Sequence, residues 1–328
     1  MATSTPIPTQ TPNAEVTSGE GFCADDGSVQ FSATTCDDLR VASSGAQPIP
    51  SNGSITQSGT YTGTRNCSGI SEWAYCVRIT ASNVTLVDFT INSNGTGVGV
   101  WASDVTIRNG TITSRNSSVQ IWDSGNGFIL DNLDVTITGD HSYVLIQDGD
   151  DAANCHNFTS KQIKNITITN SSFRGGVGGD GIYVKCAENI TIRSNYFKDS
   201  RFGASLPDSI NVLIEKNEFD MVGTQRLGIE LAKTHGAVVR ENLFYGDGPG
   251  GGDHAVSMNS GSISPKILSN TWRNIRTGVD LGSIGALIQD NCIPFGIGTA
   301  TNQVLRVTEF ESSDPSETVI NNGPEACQ

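Results

Sequence analysis

One apolar position recurs nine times along the chain, and this recurrence constrains the fold more than any other feature. It falls at Leu86, Ile107, Leu130, Ile168, Ile192, Ile214, Val239, Ile267 and Ile288. The intervals run from 21 to 28 residues, apart from one of 38 between Leu130 and Ile168. Five places after each anchor stand Ile91, Ile112, Val135, Phe173, Phe197, Phe219, Phe244, Trp272 and Ile293, all apolar. Three places after the last five anchors stand Asn195, Asn217, Asn242, Asn270 and Asn291. A fixed period of this length is the signature of a solenoid, in which each unit buries its apolar face against the next.

Alternation within each unit, as in Ile190-Thr191-Ile192-Arg193, predicts strands with one buried and one wet face. The recurrent Asn is expected to turn the chain, because Asn tolerates left-handed backbone angles. Stacked amides would then bond along a column. Helical repeats would show two stretches of 3.6 periodicity per unit, and leucine-rich repeats a Leu-x-x-Leu-x-Leu frame. Neither is present. Abundant glycine (37 residues) and a charged fraction of 16% suit many short strands joined by tight turns.

On these anchors and Asn positions the chain resembles the pectin-lyase-like superfamily of right-handed parallel β-helices, over roughly residues 55 to 310. The resemblance implies an all-β, single-domain solenoid of about nine to ten coils. Residues 1–13, rich in Thr and Pro, read as a disordered linker. Residues 14–80 would form the N-terminal cap and first coil, with an early strand at Gly59–Gly63, and residues 300–328 would close the other end.

The resemblance also implies a cleft floored by one strand per coil. Its pattern is found at Val98–Trp101, Val119–Trp122, Val144–Gln147, Ile182–Lys185, Ala204–Pro207, Ile229–Ala232, Val256–Asn259 and Val279–Gly282. First and third residues should point inward, second and fourth outward. One outward column then holds Gly99, Gln120, Leu145, Tyr183, Ser205, Glu230, Ser257 and Asp280. The other holds Trp101, Trp122, Gln147, Lys185, Pro207, Ala232, Asn259 and Gly282. With coils about 4.8 Å apart, Trp101 and Trp122 should stack as neighbours, either as a platform for sugar rings or under the long insertion.

The net charge is −14, which argues against nucleic acid and anionic membranes as partners. No apolar run is long enough to span a bilayer. Eight cysteines without zinc spacing predict disulfides and hence a secreted protein. Neighbour pairing suggests Cys23–Cys36, Cys67–Cys76, Cys155–Cys186 and Cys292–Cys327. A monomer is expected.

The candidate chemistry lies along the floor. Glu230 and Asp280, two coils apart, are compatible with an acid pair for glycoside hydrolysis. β-Elimination on a uronate needs a base and a cation for the developing charge. Lys185, Lys233 or Tyr183 could be the base, and Arg201 or Arg226 could hold the carboxylate. His254 and Asn259 would contact substrate. Asp148, Asp150 and Asp151 cluster in the insertion, with Asp180 opening the next floor strand. Together they could bind Ca2+, which would bridge a uronate to this acidic protein, although an Asp-rich turn explains the same residues.

The stretch Gly228–Asn242 loosely resembles the alginate lyase and chondroitinase B family, which implies Glu230 as calcium ligand and Lys233 as base. It departs in its shorter Glu-to-Lys spacing, and in Ser257-Met258-Asn259 where that family places an Arg. Three readings follow: a lyase acting on a uronate-containing polysaccharide, a glycoside hydrolase, or a non-catalytic carbohydrate-binding surface protein.

Overall fold

The computed structural model describes residues 45–122, 126–147, 163–176, 178–223, 227–246, 254–275 and 277–292, then 308–309, 318–320, 322 and 324–327. At 259–260, 277, 280–282, 308–309, 319 and 324–325 only the backbone is described. The chain divides into Met1–Ser44, outside the described residues, and Gly45–Gln328. The expected boundary at residue 13 therefore lies outside the description.

Gly45–Gln328 is a parallel β-solenoid. Among the described residues all strand pairs are parallel, each strand hydrogen-bonding to its equivalent one coil away. Eleven strands among the described residues stack into the floor sheet and seventeen into the wall that wraps behind it. Eight coils, from Tyr75 to Arg273, carry a full set of strands, with partial coils at both ends; nine to ten were expected. Among the described residues the helix content is one 3-10 turn, Pro324–Cys327.

The nine anchors form a single internal column, each at most 1% exposed. The inward floor residues Val98, Val119, Val144, Ile182, Ala204, Ile229, Val256 and Val279 face them, each fully buried. Beside the anchors, Phe173, Phe197, Phe219 and Phe244 stack with centroids 5.2, 4.9 and 4.7 Å apart and planes within 10°. That spacing is the coil spacing itself, so the rings follow the backbone repeat without adjustment. Space for them comes from glycine. A Cβ on Gly203 would lie 2.3 Å from Phe219 Cδ1, and one on Gly228 would lie 2.6 Å from Phe244 Cε1.

The turn chemistry differs from expectation in one respect. The left-handed residue is not the recurrent Asn but the one before it: Ser194, Lys216, Glu241, Ser269 and Asp290 have φ of 52 to 56°. The same position, two after the anchor, is left-handed in the other four coils too, at Asp88, Asn109, Asn132 and Asn170. The Asn side chain serves instead as a rung. Asn195, Asn217, Asn242 and Asn270 each donate Nδ2 to the next Oδ1 at 3.0 Å, and that oxygen also accepts the preceding rung's backbone N–H. An interior turn thus satisfies backbone groups that a buried bend would otherwise orphan. The ladder extends past the five expected residues, to Ser171 at one end and Asn322 at the other.

A second left-handed column lies three residues before every anchor: Asn83, Asp104, Gly127, Asn165, Asn189, Asn211, Gly236, Ser264 and Gly285. Residues that tolerate positive φ dominate it. Two such bends per coil, one on each side of the anchor strand, give the coil its cross-section.

Disulfides Cys67–Cys76 and Cys292–Cys327 are formed as expected. Cys186 is also disulfide-bonded; Cys155, its expected partner, lies outside the described residues, as do Cys23 and Cys36. The C-terminal segment adds strand pairings to the solenoid, Thr308–Glu309 on the floor and Thr318–Ile320 on the wall.

Candidate functional site

The floor register matches the alternation read from the sequence. Val98, Val119, Val144, Ile182, Ala204, Ile229, Val256 and Val279 are successive partners. The outward column therefore runs Gly99, Gln120, Leu145, Tyr183, Ser205, Glu230, Ser257, Asp280. Its centre is an acidic cluster. Ser205 donates its hydroxyl to Glu230 Oε2 at 2.7 Å, which fixes the carboxyl orientation one coil from its own backbone. Tyr183 sits one coil beyond Ser205.

Asp180 opens the same strand as Tyr183 and lies at the N-terminal rim of the floor. Arg201, one coil on, reaches back with Nη2 at 3.0 Å and Nε at 3.2 Å from Asp180 Oδ1. The carboxyl is 8% exposed and the guanidinium 57% exposed. Burial lifts the Asp180 carboxyl above the usual carboxylate range. Arg201 opposes that rise and the charge of Glu230 reinforces it. Burial also pushes the Tyr183 phenol up, aided by Asp180, Glu230 and Asp208. Asp208 is a buried residue on the left-handed turn after the Phe202–Ser205 strand, with φ of 55°. Sequence reasoning missed it because the two-residue alternation that finds floor residues stops at that turn.

The other expected site residues distribute as follows. Lys185 is half-buried on the floor, beside Gln147 of the preceding coil. Lys233 is exposed on a left-handed turn, φ 54°, off the floor strand. His254 starts its floor strand in the rim row Asp180, Phe202, Leu227, His254. Asn259 pairs with Ala232, and Asp280 lies two coils beyond Glu230; only their backbones are described. Arg226, Asp148, Asp150 and Asp151 lie outside the described residues. Among the described residues no group of three or more His, Cys, Asp or Glu is arranged to hold a metal ion, and Asp180 is engaged by Arg201.

Trp101 and Trp122 do not stack as expected. Tyr75, from the coil before Trp101, stands between them. Its ring meets Trp101 edge-on at 4.8 Å, and its hydroxyl accepts from Trp122 Nε1 at 3.1 Å while donating to Gln120 at 2.9 Å. Arg78 covers the Trp101 ring at 4.6 Å. Gly99 makes this possible, since a Cβ there would lie 2.4 Å from Tyr75 and 2.6 Å from Trp101. Both indoles are half-buried. The exposed ring is Trp73, 68% accessible, which sequence reasoning passed over as part of the cap.

A family model described as a right handed beta helix region matches residues 134–293. The described part of Gly45–Gln328 has the fold of a right-handed parallel β-helix. Similar solved structures include the surface adhesin PfbA of Streptococcus pneumoniae, 15% identical over 72% of this chain and 76% of that one, TM-score 0.46. Tailspike protein 3 of bacteriophage CBA120 is 12% identical over 85% of this chain and 55% of its own, TM-score 0.44. A glycoside hydrolase is 15% identical over 77% of this chain and 39% of its own, TM-score 0.37. No curated protein matches the sequence.

Proposed function

We propose that this β-helix is a secreted polysaccharide-degrading enzyme that hydrolyses glycosidic bonds of a chain laid across its floor sheet. The observation that carries the reading is the carboxyl cluster Asp180, Asp208 and Glu230 around Tyr183 and Ser205. Two carboxyls whose environments differ are what glycoside hydrolysis requires, one to give a proton to the leaving oxygen and one to act on water or the sugar. Asp180, lifted by burial, is suited to be the acid. Glu230, oriented by Ser205, is suited to act as base or nucleophile. Disulfides fit an extracellular setting.

β-Elimination on a uronate, the first reading of the sequence, is served less well by the same floor. Its centre carries acids, which repel a polyanion. Arg201, a candidate clamp for the uronate carboxylate, is committed to Asp180. Lys233 stands on the turn. Tyr183 is held toward its protonated form, which leaves little phenolate to act as a base. Under the hydrolase reading Glu230→Gln and Asp180→Asn each lower kcat by about 10²–10⁴-fold, the usual range for losing a general acid or base. Full activity of both variants would move the site elsewhere.

A further inference from the structure

We propose that Trp73 is a sugar-stacking subsite on the rim of the groove, placed next to the acid cluster and taking an uncharged pyranose of the same polysaccharide. This rests on the carbohydrate reading of the floor but not on the identity of the catalytic carboxyls.

Trp73 belongs to the loop before the first full floor strand, Tyr75–Ile79. It nonetheless ends three coils along the rim. Its ring meets His141 edge-on, centroids 5.3 Å apart, and His141 belongs to the turn before the strand Val144–Gln147. Glu72 ties the loop down from the same side. Its carboxyl lies 3.4 Å from His141 Nε2 and 4.0 Å from Arg115 Nε, and its carbonyl accepts from Asn116 Nδ2 at 3.0 Å. The backbone of His141 in turn packs on Gly179, where a Cβ would meet His141 O at 2.1 Å. Gly179 immediately precedes Asp180. A continuous chain of contacts thus connects the exposed indole to the buried acid.

The surroundings decide the class of ligand. An isolated apolar patch would suit a protein partner or a lipid. Here the indole adjoins the His141 ring, and the neighbouring Glu72 holds His141, Arg115 and Asn116 to the same loop. An indole face takes the C–H side of a pyranose, and hydrogen-bonding groups at its border take the hydroxyls. An exposed Trp that is held in place by its neighbours loses little conformational entropy on binding. The half-buried Trp101 and Trp122 are spoken for by Tyr75 and Arg78, so Trp73 is the indole with a free surface at this end of the floor.

The experiment uses the full chain with Glu230→Gln to prevent turnover. Cellohexaose, laminarihexaose, mannohexaose and chitohexaose are titrated by calorimetry and tryptophan fluorescence. At least one should bind, and adding Trp73→Ala should weaken it by at least tenfold, while Trp73→Phe keeps most of the affinity. Unchanged affinity in Trp73→Ala overturns the proposal, as does absence of binding by all four. A concentration-dependent dimer abolished by Trp73→Ala would also overturn it, since the ring would then serve a second copy of the chain. Because the readout is binding, an error in assigning Glu230 as catalytic shows separately, as turnover persisting in the Glu230→Gln protein.

Discussion

Asn242→Ala removes a central rung of the internal amide ladder, and its cost can be worked out from the bonds it makes. Asn242 donates Nδ2 to Ile214 O, Arg240 O and Asn270 Oδ1 at 2.9–3.0 Å. Its Oδ1 accepts from the Asn217 backbone N–H and from Asn217 Nδ2. Truncation leaves the Asn217 N–H without its acceptor at a site 2% exposed. An orphaned buried donor costs about 1–3 kcal/mol and each further bond lost about 0.5–1.5 kcal/mol, so the loss should be about 3–5 kcal/mol. Asn322→Ala at the last rung breaks bonds to Ile288 O, Ile320 O and Asn291 Nδ2, and takes the acceptor from the buried Asn291 backbone N–H. The orphaned donor alone costs about 1–3 kcal/mol there too. Asn242→Asp keeps the shape but turns an oxygen toward three acceptors, and should cost at least as much as the Ala variant. Urea unfolding followed by far-ultraviolet circular dichroism measures all three. A loss below about 1 kcal/mol for Asn242→Ala would refute the claim that the ladder carries the buried turns.

Gly203→Ala should destabilise by about 1–3 kcal/mol through its clash with Phe219, and Phe219→Leu in the same chain should recover part of that loss in thermal unfolding. Phe219→Ala alone, at the middle of the ring stack, should cost about 3–5 kcal/mol. Asp180→Asn tests the buried acid. A carboxyl lifted in the folded state contributes stability that is present below the ordinary carboxylate range and is lost as pH rises through its folded value. The wild-type protein should therefore lose stability relative to Asp180→Asn across that rise, and a parallel pair of pH–stability curves would contradict it. The activity of the same variant should fall while its fold persists.

Legibility in the sequence followed periodicity. The anchors, the Phe column and the floor register were all readable, because each rests on a residue type repeated at one position per coil. The left-handed position two after the anchor was harder to see. Five of its nine residues are Asn or Asp, which tolerate positive φ, but Ser, Lys and Glu hold the rest, so no single residue type marks it. The adjacent Asn drew attention as a turn former, whereas its amide is what the turn needs. The site was readable only where it lies on a strand. Tyr183 and Glu230 follow from alternation. Asp208 sits on a turn, the Arg201–Asp180 pair crosses from one coil to the next, and Trp73 reaches His141 across 68 residues of chain. Contacts made across coils at the rim leave no periodic trace.

The central claim is that the floor cluster hydrolyses a polysaccharide, and product analysis tests it most directly. The protein is incubated with cellulose, laminarin, mannan, chitin, pectate, alginate and a glycosaminoglycan, and each digest is read for new reducing ends and for ultraviolet absorbance of unsaturated ends. The account predicts reducing ends without that absorbance on at least one uncharged substrate, lost with Glu230→Gln. Unsaturated ends from a uronate polymer, surviving in Glu230→Gln, would contradict it.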